Sequence, residues 1–134
     1  MPLIQQPIVT AEAQNRATAH YQTTIRSNGH TVIADEPVEL TGTDTGMNPY
    51  SLLLASLGSC TSITLRMYID RKGWTVPEIS VNLDLTKTES ATHIKRHITF
   101  TGDITADQHQ RLLAIADACP IHKILTGTIS ITTT

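Results

Sequence analysis

The chain has 134 residues, of which 40% are hydrophobic, 16% charged and 4% aromatic, and its formal net charge is −2. This length and apolar content predict one domain, residues 1–134, because the chain is too short for two separate cores. The slight negative charge leaves no electrostatic footprint for nucleic acid or an anionic membrane, so neither is expected as a partner. The first residues lack the basic flank and apolar core of a secretory signal, which predicts a cytoplasmic protein.

The N-terminal third predicts a β-hairpin. Residues 17–26 alternate between apolar odd positions and polar even positions, which indicates a half-buried strand. Asn28 and Gly29 then form a strong turn signal before a second strand, 30–34, so the two strands should pair antiparallel. The loop that follows holds a glycine-bracketed segment, 42–46. We interpret this segment as a turn that leads into a helix, since nothing marks it as a phosphate-binding loop.

A long apolar helix is predicted from Pro49 to Lys72, with Asn48 as its cap and Gly73 as the residue that ends it. Its most apolar stretch, residues 50–65, falls short of the ~20 apolar residues that span a bilayer, so we predict a buried core helix. Apolar residues cover nearly the whole circumference, and such a helix must be surrounded on all sides. Since the rest of the chain offers little cover, we expect a homodimer that buries more than ~2,000 Å².

The second half of the chain predicts two further strands, a shorter helix and a final strand. The two strands are joined by a short polar link, which suggests a hairpin, and Arg96 is the one polar residue on the apolar face of the second strand. The element order ββ-α-ββ-α-β is an α+β fold with antiparallel sheets around a central helix. The predicted elements are strands 79–85 and 93–101, a helix capped by Thr105 and Gln108 and ended by Pro120, a helical turn at 121–125 and a strand at 128–132.

Two cysteines, Cys60 and Cys119, have the clearest potential for chemistry. Their spacing matches neither a CxxC redox pair nor a zinc knuckle, and small buried cysteines without any chemistry are common, so that interpretation stays open. Cys119 directly precedes Pro120 and should cap a short helix, where free backbone N–H groups favour a thiolate. Cys60 lies in the middle of the long helix. A reactive Cys60 would therefore need a cation from elsewhere in the fold.

Histidines do not complete a metal site in the sequence. His122 follows Cys119 by three residues, and thiolates with imidazole suit zinc, but no clustered fourth ligand accompanies Cys60, Cys119 and His122. His93 and His97 share the polar face of a strand and are interpreted as solvated residues. Phosphate-loop, dinucleotide-binding and nucleophile-elbow motifs do not occur in the sequence. We therefore expect no metal.

Three short motifs together carry a family resemblance. They are Asn48-Pro49 at the start of the long helix, LGSCT around Cys60, and ACPI around Cys119. With these motifs the chain resembles the OsmC and organic hydroperoxide resistance superfamily over essentially its whole length. The segments GTDTG at 42–46 and RKGW at 71–74 are similar to those of one branch of this superfamily, which is distinct from its typical peroxidases.

The resemblance implies an intertwined homodimer, with sheets wrapped around paired central helices and a two-cysteine site near the subunit interface. Cys60 matches the cysteine that attacks an organic hydroperoxide and becomes a sulfenic acid. Cys119 matches the cysteine that converts this sulfenic acid into a disulfide. No bound cofactor is implied, since an external dithiol reduces the disulfide. The implied partners are a second copy of the chain and a small-molecule peroxide.

The chain departs from the peroxidase pattern at the start of the long helix. The family typically has a glutamate there that orients an arginine over the reactive thiolate, whereas this chain has Tyr50 and Ser51. Arg26, at the end of the first predicted strand, is the first candidate for such an arginine, and Arg96 is the second.

Two functions follow from these observations. The first is thiol-dependent reduction of organic hydroperoxides through Cys60 and Cys119. Apolar residues on the helix face of Cys60, namely Leu53, Leu57 and Met67, predict a preference for organic hydroperoxides over hydrogen peroxide. The alternative is a non-catalytic dimer that binds a small apolar ligand at the subunit interface. The first function requires reactive thiols, and the second predicts inert ones.

Overall fold

The computed structural model describes residues 6–134. Two antiparallel sheets and one long helix confirm the predicted α+β class. The chain divides into two compact units, with the boundary between Leu52 and Leu53. The single-domain organisation stays a prediction. The elements are β1 (Glu12–Asn15), β2 (Thr23–Ser27), β3 (His30–Ala34), α1 (Pro49–Lys72), β4 (Ile79–Lys87), β5 (Thr92–Phe100), α2 (Ala106–Ala116) and α3 (Pro120–Leu125), with single 3-10 turns at Ala17–Ala19 and Val38–Leu40.

The first unit contains a three-stranded antiparallel sheet in the order β1-β2-β3. The predicted hairpin is confirmed: Asn28 and Gly29 connect β2 to β3 with φ values of 54° and 79°, the left-handed backbone that a two-residue hairpin turn requires. The sequence pattern missed β1, which pairs with β2.

The predicted strand over 17–26 is wrong in its first part, because residues 17–22 form a turn instead. The Asn15 side-chain amide donates to the backbone carbonyls of His20 and Gln22, both at 2.9 Å. These bonds close the turn, and His20 adopts a positive φ of 54° within it. An alternating pattern of polar and apolar residues carries no information on such a bond from a side chain to the backbone.

A buried carboxylate, Asp35, organises the loop between β3 and α1. The hydroxyls of Thr43 and Thr45 donate to Asp35 Oδ2 at 2.6 and 2.7 Å, and the backbone N–H of Thr45 adds a bond at 3.0 Å. The Glu36 N–H donates to Asp35 Oδ1 at 2.7 Å. The Thr43 hydroxyl first, and then the Thr45 hydroxyl, hold the pKa of Asp35 far below its ordinary value, although burial opposes this shift.

The glycines of this loop allow backbone segments to touch. A Cβ atom on Gly46 would lie 2.0 Å from the carbonyl oxygen of Ile33, and one on Gly42 would lie 2.0 Å from that of Glu36. Side chains larger than hydrogen therefore do not fit at either position. The segment 42–46 thus forms a turn that leads to α1, as the sequence predicted.

The helix α1 has the predicted bounds. Asn48 Oδ1 accepts the Ser51 N–H at 2.8 Å at its start, and Gly73, with a φ of 69°, ends it. Within residues 6–134, α1 is the one helix that is long and apolar enough to cross a membrane by length and composition. Leu65 and Ile69 are nonetheless fully buried within the second unit. We therefore describe α1 as a core helix.

The second unit packs α1 and α2 against the two-stranded sheet of β4 and β5. The helix α1 and the strand β4 pack closely at Gly58, where a Cβ atom would lie 2.9 Å from a methyl group of Leu83. The capping box that starts α2 is confirmed, since Thr105 and Gln108 exchange side-chain to backbone bonds. The buried core consists of Leu65, Ile69, Val76, Ile98, Leu112 and Ala116.

The predicted final strand is wrong. Residues 128–134 have no regular secondary structure, and Ile129 and Ile131 are 54% and 86% exposed. The alternating pattern predicts a strand, but a strand also needs a neighbouring backbone for its ladder, and the described part of the chain pairs none with this segment.

The Asp35 carboxylate should make the stability of the first unit sensitive to acid. Because its folded-state pKa is depressed, its contribution is present above the unfolded pKa of about 3.9 and is lost as pH falls toward the lower folded-state value. Asp35→Asn should lower the unfolding midpoint at pH 7 and weaken the pH dependence below pH 4. Urea unfolding followed by circular dichroism at pH 7 and pH 3 measures both effects, with the exposed Glu39→Gln as control. Equal acid sensitivity of wild type and Asp35→Asn would contradict this role.

Candidate functional site

The second unit brings Cys60 and Cys119 together. Cys60 lies on α1 and Cys119 at the start of α3, and the two thiols are close enough for each to shift the pKa of the other. Both are free thiols. Cys119 is fully buried, whereas Cys60 is partly exposed. The two sulfurs thus form a pair with one accessible and one enclosed member.

The junction of α2 and α3 places the Cys119 sulfur. The N–H groups of Ala118 and Cys119 bond to the carbonyls of Ile115 and Ala116 and close the last turn of α2. Pro120 then occupies the first position of α3, where its missing N–H costs nothing and its ring keeps Cys119 in extended backbone. Cys119 occupies the N-cap position of this short helix, as predicted, but its side chain makes no capping hydrogen bond.

Several nearby groups shift the pKa of Cys119. Burial opposes its ionisation, but the Cys60 thiol, the backbone N–H groups of His122 and Ile121 and the Thr61 hydroxyl outweigh this effect. Together they lower the pKa of Cys119 below that of an ordinary thiol.

The environment of Cys60 acts in the opposite direction. Burial raises its pKa first, and donation of its thiol hydrogen to Cys119 raises it further. The N–H of Ile121 and the hydroxyl of Thr64 offset this only in part. The two thiols therefore differ: negative charge is favoured on Cys119 and disfavoured on Cys60.

Arg96 lies on β5, and its side chain is only 11% exposed. Its Nη1 donates to Thr61 Oγ1 at 3.0 Å, and its Nη2 donates to Asp117 Oδ1 at 2.8 Å. The same Nη2 lies 3.2 Å from His122 Nδ1. Because a guanidinium only donates, His122 Nδ1 must accept this bond, which assigns the imidazole proton to Nε2.

Thr61 connects Arg96 to the cysteines. This threonine is fully buried, and its hydroxyl accepts the bond from Arg96 and lies 2.7 Å from the carbonyl oxygen of Leu57. The single hydrogen of this hydroxyl is donated to the Leu57 carbonyl. Thr61 also contributes to the lowered pKa of Cys119.

The two candidate arginines have different surroundings. Arg26 lies on β2 in the first unit, is exposed, and forms an ion pair with Glu12 at 3.7 Å. Arg96 belongs to the second unit and has the contacts that lead to the cysteines. Tyr50 and Ser51 occupy the first turn of α1, as the sequence shows.

A cavity of about 430 Å³ opens beside Arg96. Its wall combines the guanidinium of Arg96 and the imidazoles of His93 and His122 with apolar side chains. Of the three apolar residues that the sequence placed beside Cys60, Leu57 lines this cavity, whereas Met67 is 60% exposed elsewhere on α1. The apolar lining consists of Leu57, Ile94 and Leu125.

The site offers no metal centre in residues 6–134, because no three His, Cys, Asp or Glu side chains there are grouped to hold an ion. The combination of Cys60, Cys119 and His122 that the sequence raised is therefore not such a group. What these residues present is a pair of thiols next to a network of hydrogen-bond donors.

Comparison with protein families gives one match, in which the model of the family described as OsmC-like protein matches residues 42–134. The chain belongs to the OsmC-like family. Comparison with curated protein sequences gives no match.

Solved structures share the fold of this OsmC-like protein. An OsmC-like protein from Mycoplasma pneumoniae matches with a TM-score of 0.77 and 17% identity, over 92% of this chain and 90% of that one. An organic hydroperoxide resistance protein OsmC from Legionella pneumophila matches with a TM-score of 0.66 and 19% identity, over 92% of this chain and 93% of that one. An organic hydroperoxide resistance protein from Elizabethkingia anophelis matches with a TM-score of 0.68 and 19% identity, over 93% of this chain and 92% of that one. At these identities the likeness shows the fold.

Sequence reasoning missed two residues of the site. Thr61 directly follows Cys60, but a threonine inside an apolar helix gives no signal of an arginine partner 35 residues away. Asp117 lies two residues before Cys119 at the end of α2, and an acidic residue at a helix end is typical of a solvent-exposed position. Only the position of Arg96 on an otherwise apolar strand face indicated that a buried partner was needed.

The bond from Arg96 to Thr61 should contribute to stability. Thr61→Val preserves the side-chain shape but leaves Arg96 Nη1 without this acceptor, which should cost about 1.5–3 kcal/mol, the range for hydrogen bonds to charged groups. Thr61→Ser keeps the hydroxyl and loses one methyl group, which should cost about 0.8 kcal/mol. Urea unfolding of both variants compares the two losses. A valine variant at least as stable as the serine variant would show that the bond does not matter.

Proposed function

We propose that this OsmC-like protein reduces organic hydroperoxides with its two cysteines. The observation that carries the proposal is the closeness of a partly exposed thiol, Cys60, to a buried one, Cys119, with each shifting the pKa of the other. Two proteins of the same fold are organic hydroperoxide resistance proteins, which supports this chemistry. A sulfenic acid formed beside a thiol condenses readily to a disulfide.

The reaction consumes both thiols. The Cys60 sulfur attacks the hydroxyl oxygen of the hydroperoxide, the O–O bond breaks, and an alcohol leaves while Cys60 becomes a sulfenic acid. The Cys119 sulfur then attacks the Cys60 sulfur, water leaves, and a disulfide forms. Two thiols and one hydroperoxide thus give one disulfide, one alcohol and one water.

The exposure of the two thiols supports an order of events. Cys60 is the accessible sulfur, so it meets the peroxide first, and Cys119 is enclosed and reacts second. The same exposure directs the reductant: an external dithiol attacks the accessible Cys60 sulfur of the disulfide. The chemistry requires a compartment that keeps both thiols reduced, which supports a cytoplasmic location.

The cavity beside Arg96 supports an organic substrate. Neither cysteine lines this cavity, but its wall includes His122, three residues after Cys119, and its apolar residues Leu57, Ile94 and Leu125 can cover the hydrocarbon part of a hydroperoxide. Burial of that part contributes roughly 25 cal/mol per Å², a gain that hydrogen peroxide cannot obtain.

Replacement of the accessible cysteine tests this function. Reduced wild type should consume cumene hydroperoxide faster than hydrogen peroxide when dihydrolipoamide is supplied, and Cys60→Ser should lose at least 100-fold of this rate. Peroxide loss is followed with a colorimetric assay. Ser59→Ala, at the exposed neighbour of Cys60, is the matched control and should keep the wild-type rate. Equal peroxide loss with wild type and Cys60→Ser would refute the function and favour a non-catalytic protein with inert thiols.

We also expect the protein to act as a homodimer. One face of α1 exposes large apolar side chains, with Ile63 at 55%, Met67 at 60% and Leu53 at 38%. A contiguous apolar face of this kind on a soluble protein indicates a partner surface. A second copy of α1 presents the same apolar chemistry, so the face can cover itself around a two-fold axis.

A charge on this face should separate the subunits. Sedimentation velocity at micromolar concentration should give a dimer for wild type and a smaller species for Met67→Asp, because pairing would bury an unpaired carboxylate. Ser90→Asp, in the link between β4 and β5, adds the same charge at an exposed position and should remain dimeric. A wild-type protein that sediments as a monomer would contradict the expectation.

A further inference from the structure

The cavity beside Arg96 has hydrogen-bond donors in its wall and no carboxylate. It lies within the second unit, and its volume of about 430 Å³ is in the range of small-molecule sites. None of the side chains that line it in residues 6–134 is acidic, so a negative group inside would meet no like charge in the wall. The lining consists of Leu57, Thr92, His93, Ile94, Arg96, His122, Leu125 and Thr126.

Two N–H groups of this wall have no acceptor in the described part of the chain. Arg96 donates through Nη1 to Thr61, and its Nη2 donates to Asp117 and to His122 Nδ1, which leaves Nε without a bond. The His122 ring keeps its proton on Nε2, and that N–H has no acceptor in residues 6–134 either. Neither nitrogen is buried, because every buried side-chain nitrogen of these residues has a partner. Both donors can therefore bond to a ligand.

The charge of Arg96 also favours a negative ligand. Its ion-pair partner, Asp117, is largely exposed to solvent and does not line the cavity. Water around an exposed carboxylate weakens its field, whereas the guanidinium is nearly enclosed. A carboxylate inside the cavity would thus form a charge-assisted bond with Arg96 without displacing Asp117.

Aliphatic side chains from three elements form another part of the wall. Leu57 lies on α1, Ile94 on β5 and Leu125 on α3. Leu57 is buried, and the other two are half-buried. A hydrocarbon chain placed against them would lose apolar surface to water, which is favourable by roughly 25 cal/mol per Å². The cavity therefore fits a ligand with one acceptor end and one apolar end.

We propose that this cavity binds a small aliphatic monocarboxylate. The carboxylate accepts bonds from Arg96 Nε and His122 Nε2, and the hydrocarbon chain lies along the three aliphatic side chains. An ionised carboxylate only accepts hydrogen bonds, so it matches two donors that lack acceptors. Binding requires neither a peroxide nor the cysteines. The site therefore stands or falls independently of the proposed peroxidase function.

A series of three ligands tests the two ends of the site. Octanoate, octanamide and acetate are titrated into reduced, ¹⁵N-labelled wild-type protein at pH 7, and binding is followed by two-dimensional NMR. Octanoate should give saturable shifts, and the other two should bind at least about 10-fold more weakly, because octanamide lacks the charge and acetate lacks the chain. Octanamide that binds as tightly as octanoate, or octanoate that does not bind, would overturn the proposal.

The same spectra locate the bound octanoate. The shifts should concentrate at residues 92–96 and 122–126, which line the cavity. A second hollow on the protein, next to Arg66, Ile63 and Met67 of α1, is the alternative position for an amphiphilic anion. Shifts confined to residues 62–67 and 77–79 would contradict the assignment to the cavity.

A new carboxylate in the wall should exclude the ligand. Thr92 lines the cavity at the exposed start of β5, and Thr92→Asp should weaken octanoate binding at least about 10-fold through like-charge repulsion. Thr92→Asn has a similar shape without the charge and should bind like wild type. Thr99→Asp adds the same charge at an exposed position of β5 outside the cavity and should also bind like wild type. Equal affinities of the two aspartate variants would refute the site.

Removal of the guanidinium completes the test. Arg96→Gln should also weaken octanoate binding at least about 10-fold, because the charged donor is lost. Arg96 also bonds to Thr61, so circular dichroism first establishes that this variant is folded. Wild-type affinity in folded Arg96→Gln would overturn the proposal. If the variant does not fold, the comparison of Thr92→Asp with Thr99→Asp decides the question.

Discussion

The site depends on the break between α2 and α3, which forces a cysteine into the interior beside α1. The helix α2 ends at Ala116 and Pro120 is suited to start α3, so Cys119 lies between the two helices at the N-cap of α3. Burial alone would make this thiol inert. Nearby hydrogen-bonding groups instead lower its pKa. An enclosed thiol with a lowered pKa therefore lies close to a partly exposed one.

Arg96 is the second constraint, because a guanidinium that is 11% exposed must find acceptors. It finds them on Thr61, Asp117 and His122, which holds β5, α1 and the start of α3 in register around the cysteines. The ion pair with Asp117 contributes little stability of its own, since that carboxylate is 66% exposed to solvent. The fully buried contact of Arg96 is the Thr61 hydroxyl, one residue after Cys60 on α1.

The first unit shows the same principle with a carboxylate. Asp35 is buried and is satisfied by the backbone and hydroxyls of Thr43 and Thr45, which shape the loop that ends at the cap of α1. Glycine at positions 42 and 46 is required because the loop touches the backbone of Glu36 and Ile33. In both units a buried polar group determines the path of the chain around it. Within residues 6–134 no buried side-chain nitrogen or oxygen lacks a partner.

The sequence by itself determined the elements whose signals are local. Asn48 with Pro49 and Gly73 set the bounds of α1, Asn28 with Gly29 set the hairpin, and Thr105 with Gln108 set the start of α2, because caps and turns depend on residues a few positions apart. The family motifs also directed attention to Cys60 and Cys119.

Tertiary structure decided what depends on distant neighbours. The turn at 17–22 follows from bonds made by Asn15, and the segment 128–132 lacks the neighbouring backbone that its alternation would need. Arg96 and Thr61 lie 35 positions apart in the chain, and the opposite pKa shifts of Cys60 and Cys119 have causes on both α1 and α3. Such shifts depend on groups that the fold brings together from different elements, and composition and spacing do not encode them.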